Sequence, residues 1–211
     1  LEPMWEQLKR IIKPNGAIVM TASQPFTTTL ISSNMKMFKY CWVWEKSLGG
    51  NFAHIKNNPL KTHEDICVFS LGVVGHKSQT NRRMEYNPQG VEEGKRLFSG
   101  SKAMAKSEHG MLRDGFYDGR KTDGSNYPKS VIKFSNASNK NRGKHPTQKP
   151  VALMEYLIKT YTNESETVLD FTMGSGSTGV AAKNLNRKFI GIELYQEYFN
   201  IAKKRINETK G

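Results

Sequence analysis

Val168-Leu169-Asp170-Phe171-Thr172-Met173-Gly174-Ser175-Gly176-Ser177-Thr178-Gly179, with Phe189-Ile190-Gly191-Ile192-Glu193 after it, decides the fold. An apolar run over 167–171 stops in a glycine turn, and a helical pattern opens at once from Thr178. Such a turn lets a ligand lie against bare backbone N–H groups, because no Cβ intervenes. The second run delivers Glu193 to the same edge of a parallel sheet, where a carboxylate can accept both hydroxyls of a ribose. These residues describe a site for a cofactor that contains adenosine. They do not by themselves say which one.

Two cofactor classes fit that much. Gly174, Gly176 and Gly179 satisfy G-x-G-x-x-G with an acid about 20 residues on, the spacing of a nicotinamide dinucleotide site. A dinucleotide also needs a second mononucleotide half, and only one β-α-β unit is laid out before Gly211. A P-loop is excluded because no lysine follows the glycines at the required place.

Lys144-His145-Pro146-Thr147-Gln148-Lys149-Pro150 precedes this unit. Two prolines fix φ, and His145, Thr147, Gln148 and Lys149 present donors and acceptors, so the segment reads as a rigid polar strap. It leads into a helix over 152–160, with Leu153, Leu157 and Ile158 on one face. Strap, helix, glycine loop, the Gly191-Ile192-Glu193 strand end and the Glu197-Tyr198-Phe199 helix start occur in order across the C-terminal third. In that order the chain resembles the amino-methyltransferases of DNA that use S-adenosylmethionine, in their circularly permuted beta arrangement. The resemblance implies that His145, Pro146, Thr147, Lys149, Asp170, Phe171, Met173, Gly174, Ser175, Gly176 and Glu193 bind the cofactor. Glu193 would hold the ribose. Asp170 and the glycine backbone would orient the methionine part.

The N-terminal third is similar to the same family, on weaker signals. Trp5, Leu8, Ile11 and Ile12 recur at helical spacing, and Pro14-Asn15-Gly16 ends that helix. Residues 17–21 read as a buried strand, and Phe26, Leu30, Ile31, Met35 and Phe38 suggest a second helix. Residues 40–44 and 65–71 read as strands. Family members carry an Asp/Asn/Ser-Pro-Pro-Tyr/Phe tetrapeptide before the first helix, and no Pro-Pro pair occurs here. The expectation is that this catalytic element lies upstream of Leu1, with a degenerate homologue as the alternative. The cofactor loop departs from the family's Asp-Pro-Phe at Asp170-Phe171-Thr172, which moves the aromatic one place and turns it toward the other face of an extended segment.

Lys and Arg exceed Asp and Glu by 32 − 19 = 13. Such a field attracts a phosphate backbone. Residues 75–143 hold fourteen Lys/Arg against seven Asp/Glu, so over half of the excess sits in about a third of the chain. The resemblance makes this span the target-recognition insert, with Arg82, Arg83, Arg120 and Lys121 as DNA contacts, between core segments 1–74 and 144–211. Phe98, Phe116, Tyr117 and Tyr127 read as its small core. Cys41 and Cys67 read as buried thiols of a reducing compartment. His63-Glu64-Asp65 reads as the polar lead-in to a strand, and no metal site is expected.

The expected architecture is α/β: a Rossmann-like, mostly parallel sheet with helices on both faces, an antiparallel edge hairpin and an irregular basic insert. The expected activity is methylation of the exocyclic amine of a flipped base in double-stranded DNA. Adenine N6 is favoured; cytosine N4 and a catalytically incomplete DNA-binding homologue are the alternatives. A cytoplasmic protein is expected, without a membrane partner and with a homodimer allowed, since no leader or bilayer-length apolar run occurs.

Overall fold

Helix α1 (Glu2–Ile11) places Glu2 in its first turn and Lys9 and Arg10 in its last, so each charge opposes the helix dipole favourably. In this computed structural model, which describes residues 1–75, 82–93, 124–136 and 148–209, α1 buries Trp5 and Leu8 while Ile11 stays exposed. The expected stop at Gly16 is a turn, with the Gly16 N–H on the Lys13 carbonyl. Strand β1 (Ala17–Ala22) follows, then α2 (Phe26–Ser32).

The second helix is shorter than its apolar spacing implied. It ends at Ser32, Met35 is exposed, and Phe38 already opens β2 (Phe38–Lys46). Polar side chains end it by competing for the backbone: Ser33 donates to the Leu30 carbonyl at 2.7 Å while accepting the Trp5 indole N–H at 2.8 Å. A 3₁₀ turn (Phe52–His54) lies on the way to β3 (His63–Ser70). His63, Glu64 and Asp65 therefore belong to the strand and are not a lead-in. Leu71 falls beyond it, exposed.

β3 decides how the core is layered. Its side chains alternate between faces. Ile66 and Val68 join Trp42, Trp44, Leu153, Leu157 and Tyr161 on one face; Cys67 and Phe69 join Trp5, Leu8, Ile18 and Leu30 on the other. The four-stranded sheet runs β1-β3-β2-β6, where β6 is Val131–Phe134. The α/β class and helices on both faces are as expected. The strand directions are mostly parallel, as expected: among the described strands of this sheet β3 is antiparallel to both β1 and β2, so β1, β2 and β6 share one direction, with β6 pairing parallel to β2. A chain that returns from β2 to β3 without a covering helix has no crossover to make the pair parallel. The antiparallel strand thus sits inside the sheet, not at its edge.

Helix α3 (Val151–Tyr161) leans on this sheet and, through Ile158, on α4 (Ser177–Asn184). β7 (Thr167–Asp170) and β8 (Lys188–Gly191) form a parallel pair across α4, and α5 (Gln196–Glu208) ends the described chain. Lys13, just before β1, reaches Glu166, just before β7, at 2.7 Å.

The chain divides into two compact units, Leu1–Asn87 with Ser130–Gly211, and Pro88–Lys129. Within the second, β4 (Glu92–Glu93) and β5 (Gly124–Ser125) pair antiparallel, and Asn126 bonds the Gly90 carbonyl at 3.0 Å. Tyr127 is exposed and does not form the small core expected of it; Phe98, Phe116 and Tyr117 lie outside the described residues. Val131–Phe134, inside the span read as an insert, belongs to the first unit. Its Ile132 is buried with the two tryptophans.

Cys41 and Cys67 face each other on adjacent strands as free thiols, Sγ to Sγ 3.6 Å. Cys67 is buried as expected, whereas Cys41 is partly exposed. Burial, with Cys41 beside it, pushes the Cys67 thiol up to about 12.

Tyr161 is the polar pin of the core. Its hydroxyl accepts the Trp42 indole N–H at 2.6 Å and bonds the Tyr40 hydroxyl at 3.0 Å. Burial keeps it a neutral phenol. Tyr161→Phe should lower stability by about 1–2 kcal/mol, because the Trp42 N–H is left buried without a partner. Urea unfolding followed by tryptophan fluorescence measures it.

Candidate cofactor site

β7 delivers Asp170 to the start of the glycine turn, where the carboxylate closes the turn on itself. Oδ1 accepts the Thr172 N–H at 3.1 Å and Oδ2 accepts the Thr178 hydroxyl at 2.6 Å. Gly174 and Gly176 have φ of 51° and 79°, a left-handed conformation that suits glycine. A Cβ on Gly176 would also stand 2.9 Å from Ala202 Cβ of α5, and one on Gly179 would overlap Ile206. Two of the three motif glycines therefore admit a helix as well as leaving backbone open.

The acid of the second run lies where the motif spacing implied. Glu193 Oε2 accepts the Gly174 N–H at 2.8 Å, and Oε1 accepts the Tyr195 N–H at 3.0 Å. The carboxylate staples the turn to the end of β8. Phe171 in the turn, and Ile192, Leu194 and Tyr195 in the chain on either side of Glu193, are exposed, Leu194 to 89%. Met173 and Ser175 are buried under the turn. Ser177 Oγ is buried with no hydrogen-bond partner among the described residues.

The strap meets the turn through Gln148, whose Oε1 accepts the Ser175 hydroxyl at 2.7 Å. His145, Pro146 and Thr147 lie outside the described residues. Lys149 pairs with Glu64 of β3 at 3.2 Å, and Lys46 of β2 grips the same carboxylate. Burial by itself raises the Glu64 carboxyl. The Lys46 hydrogen bond and the Lys149 charge outweigh it and hold the group below the usual range. A carboxyl depressed by folding adds stability that is complete above its unfolded value, about 4.3, and is lost as pH falls through the lower folded value. Glu64→Gln should flatten the acid limb of a stability profile below about pH 4.3, as thermal unfolding across pH would show.

Arg205 of α5 was not foreseen. It donates to the Ser175 carbonyl and, at 3.0 Å, to the Ser175 hydroxyl, and it lies 3.5 Å from Gln148 Oε1. Burial lowers its guanidinium from the usual value. One signal existed: Arg205 borders the Ala202–Ile206 stripe of α5, an odd place for a charge without a buried acceptor.

Arg82 and Arg83 are exposed on a segment that returns beside Val73, with backbone bonds of 2.8 Å from Val73 to Arg82 and 3.1 Å from Met84 to Val73. Arg120 and Lys121 lie outside the described residues. Among those described, no cluster of His, Cys, Asp or Glu could hold a metal ion, and no helix is long and apolar enough to cross a membrane.

Comparison with known proteins shows the family. A family model described as DNA methylase, of the N6/N4 methyltransferases, matches residues 1–204. Type II methyltransferase M2.LlaDCHI of Lactococcus lactis subsp. cremoris is 55% identical over 71 residues, 34% of this chain and 26% of that protein. Type II methyltransferase M.HpaI of Haemophilus parainfluenzae is 27% identical over 210 residues, 96% of this chain and 57% of its own. The chain thus spans between a quarter and just over half the length of these relatives. The crystal structure of the M1.HpyAVI–SAM complex superposes with a TM-score of 0.62 at 28% identity, over 95% of this chain and 79% of that one.

Proposed function

The chain belongs to the N6/N4 DNA methylase family, and from that premise we propose that it moves a methyl group from S-adenosylmethionine to the exocyclic amine of a base in double-stranded DNA. One observation carries the reading. The strap, the glycine turn and the acidic strand tip lie on one hydrogen-bonded line, Gln148 to Ser175 and Gly174 to Glu193. M1.HpyAVI, its structural relative, was crystallised with the same donor.

S-adenosylmethionine supplies a methyl group already activated on a sulfonium, so the protein contributes alignment and electrostatics. Glu193, at the tip of β8, accepts the ribose hydroxyls. Phe171, Leu194 and Tyr195 cover the adenine. Asp170, oriented by the Thr172 N–H and the Thr178 hydroxyl, would face the ammonium of the methionine part. The orphan Ser177 hydroxyl supplies one more donor at the turn.

Rotating a base out of the duplex costs a few kcal/mol, which contacts from the basic surface offset. Arg82, Arg83, Arg120 and Lys121 are the proposed phosphate and base-edge contacts. The base-gripping tetrapeptide that the family resemblance calls for would stand on a strand beside β1 or β7. Among the described residues, each of those strands is paired along only one edge.

Adenine N6 is the proposed acceptor, with cytosine N4 as the alternative. The cytosine-N4-specific PvuII DNA methyltransferase shares the fold, at 16% identity and a TM-score of 0.61. Nucleoside mass spectrometry of DNA from cells expressing the protein decides it. N6-methyldeoxyadenosine supports the reading, N4-methyldeoxycytidine moves it to the alternative, and unmodified DNA rejects the activity.

A further inference from the structure

We propose that the excursion between β2 and β3, residues 47–62, is a second DNA-contacting element that presses Phe52 and Ile55 between bases beside the nucleotide being methylated. This rests on the reading of the chain as a DNA methyltransferase.

Its position follows from the strap. Lys46 enters the excursion and Glu64 stands just past its exit, and the two are paired. Lys149 joins the same carboxylate, while the adjacent Gln148 touches Ser175 of the glycine turn. Neighbouring Cα atoms are about 3.8 Å apart. The base of the excursion and the cofactor turn therefore stand within a few side-chain lengths of each other.

The excursion is a built protrusion. Asn51, at φ 53°, ties it across: its Oδ1 accepts the Lys61 N–H at 2.8 Å and its Nδ2 donates to Asn58 Oδ1 at 3.0 Å. Asn136 clamps Leu48 from both sides, accepting its N–H at 2.8 Å and donating to its carbonyl at 2.9 Å. At the tip, on and beside the 3₁₀ turn, Phe52 is 62% exposed and Ile55 56%. Large apolar side chains held in water on a pinned turn mark a contact surface.

Charge selects the occupant. Residues 47–62 contain Lys56 and Lys61 and no Asp or Glu, in a chain of net charge +13. Apolar wedges flanked by cations and amides are what proteins insert between base steps, where the wedge replaces lost stacking and the cations meet the phosphates.

The test uses the 211-residue chain and two fluorescein-labelled duplexes of random sequence, one fully paired and one with a central abasic site that imitates the extruded base. Wild type should favour the abasic duplex by roughly tenfold, one stacked aromatic's worth. Phe52→Ala/Ile55→Ala should abolish that preference. Lys56→Gln/Lys61→Gln should keep the preference and lower the slope of log affinity against log salt by roughly 1.8, two phosphates at about 0.9 each. Titration with S-adenosylmethionine checks the fold of each variant. A preference unchanged in the double alanine variant overturns the proposal. Wild type that binds S-adenosylmethionine but neither duplex overturns it and leaves the cofactor reading standing; wild type that binds none of the three overturns both. Light scattering that shows a dimer lost in the double alanine variant assigns the wedge to a second copy of this chain, and also overturns it.

Discussion

Glu193→Ala should weaken S-adenosylmethionine binding by roughly 10- to 100-fold, about 1.5–3 kcal/mol, the range for hydrogen bonds to a charged group. Two losses combine in that figure. The ribose loses its acceptor, and the Gly174 and Tyr195 N–H groups lose the carboxylate that holds turn and strand end together. Glu193→Gln separates them. Its amide oxygen can still accept one of the two backbone N–H groups, while the charge is gone. The account predicts an intermediate affinity for Gln and a turn that exchanges its amide hydrogens faster in Ala than in Gln. Isothermal titration gives the affinities; equal binding by all three proteins would remove Glu193 from the site.

Arg205→Met should weaken the same binding by about tenfold, roughly 1.4 kcal/mol, acting through the turn that Arg205 holds. Its guanidinium holds Ser175 through the carbonyl and the hydroxyl and backs the Gln148 amide from below. Methionine keeps the apolar stem along α5 and removes the clamp. The effect should be coupled to the strap: with Gln148 already changed to alanine, Arg205→Met should cost much less than in wild type, since neighbours in one network are not additive. Full additivity in that double-mutant cycle would show that Arg205 acts on folding alone.

The cofactor half was legible because its signals are local. A glycine turn needs its glycines in sequence, and the strand–turn–helix order places the acid by counting; Asp170, Gly174, Gly176 and Glu193 lie where that counting put them. Contacts that cross the chain were not legible. Glu64 and Lys149 are separated by 85 residues, and only the paired sheet edge and the strap bring them together. Arg205 and Ser175, 30 residues apart, meet only after α5 folds back over the turn. The second helix misled because Phe26, Leu30 and Ile31 hold a helical spacing that Ser33 and Asn34 then end. The interior place of β3 was hidden for a different reason. A strand buried on both faces reads as a continuous apolar run whichever way it points.

The central claim is that Gln148, the glycine turn and Glu193 close on one S-adenosylmethionine molecule. Hydrogen exchange of the chain with and without that cofactor tests it most directly. The account predicts slowed exchange in three places at once: 148–150, 172–178 and 191–195, with little change along β6. Slowing at only one of the three, or at none while the cofactor is bound elsewhere, would contradict it.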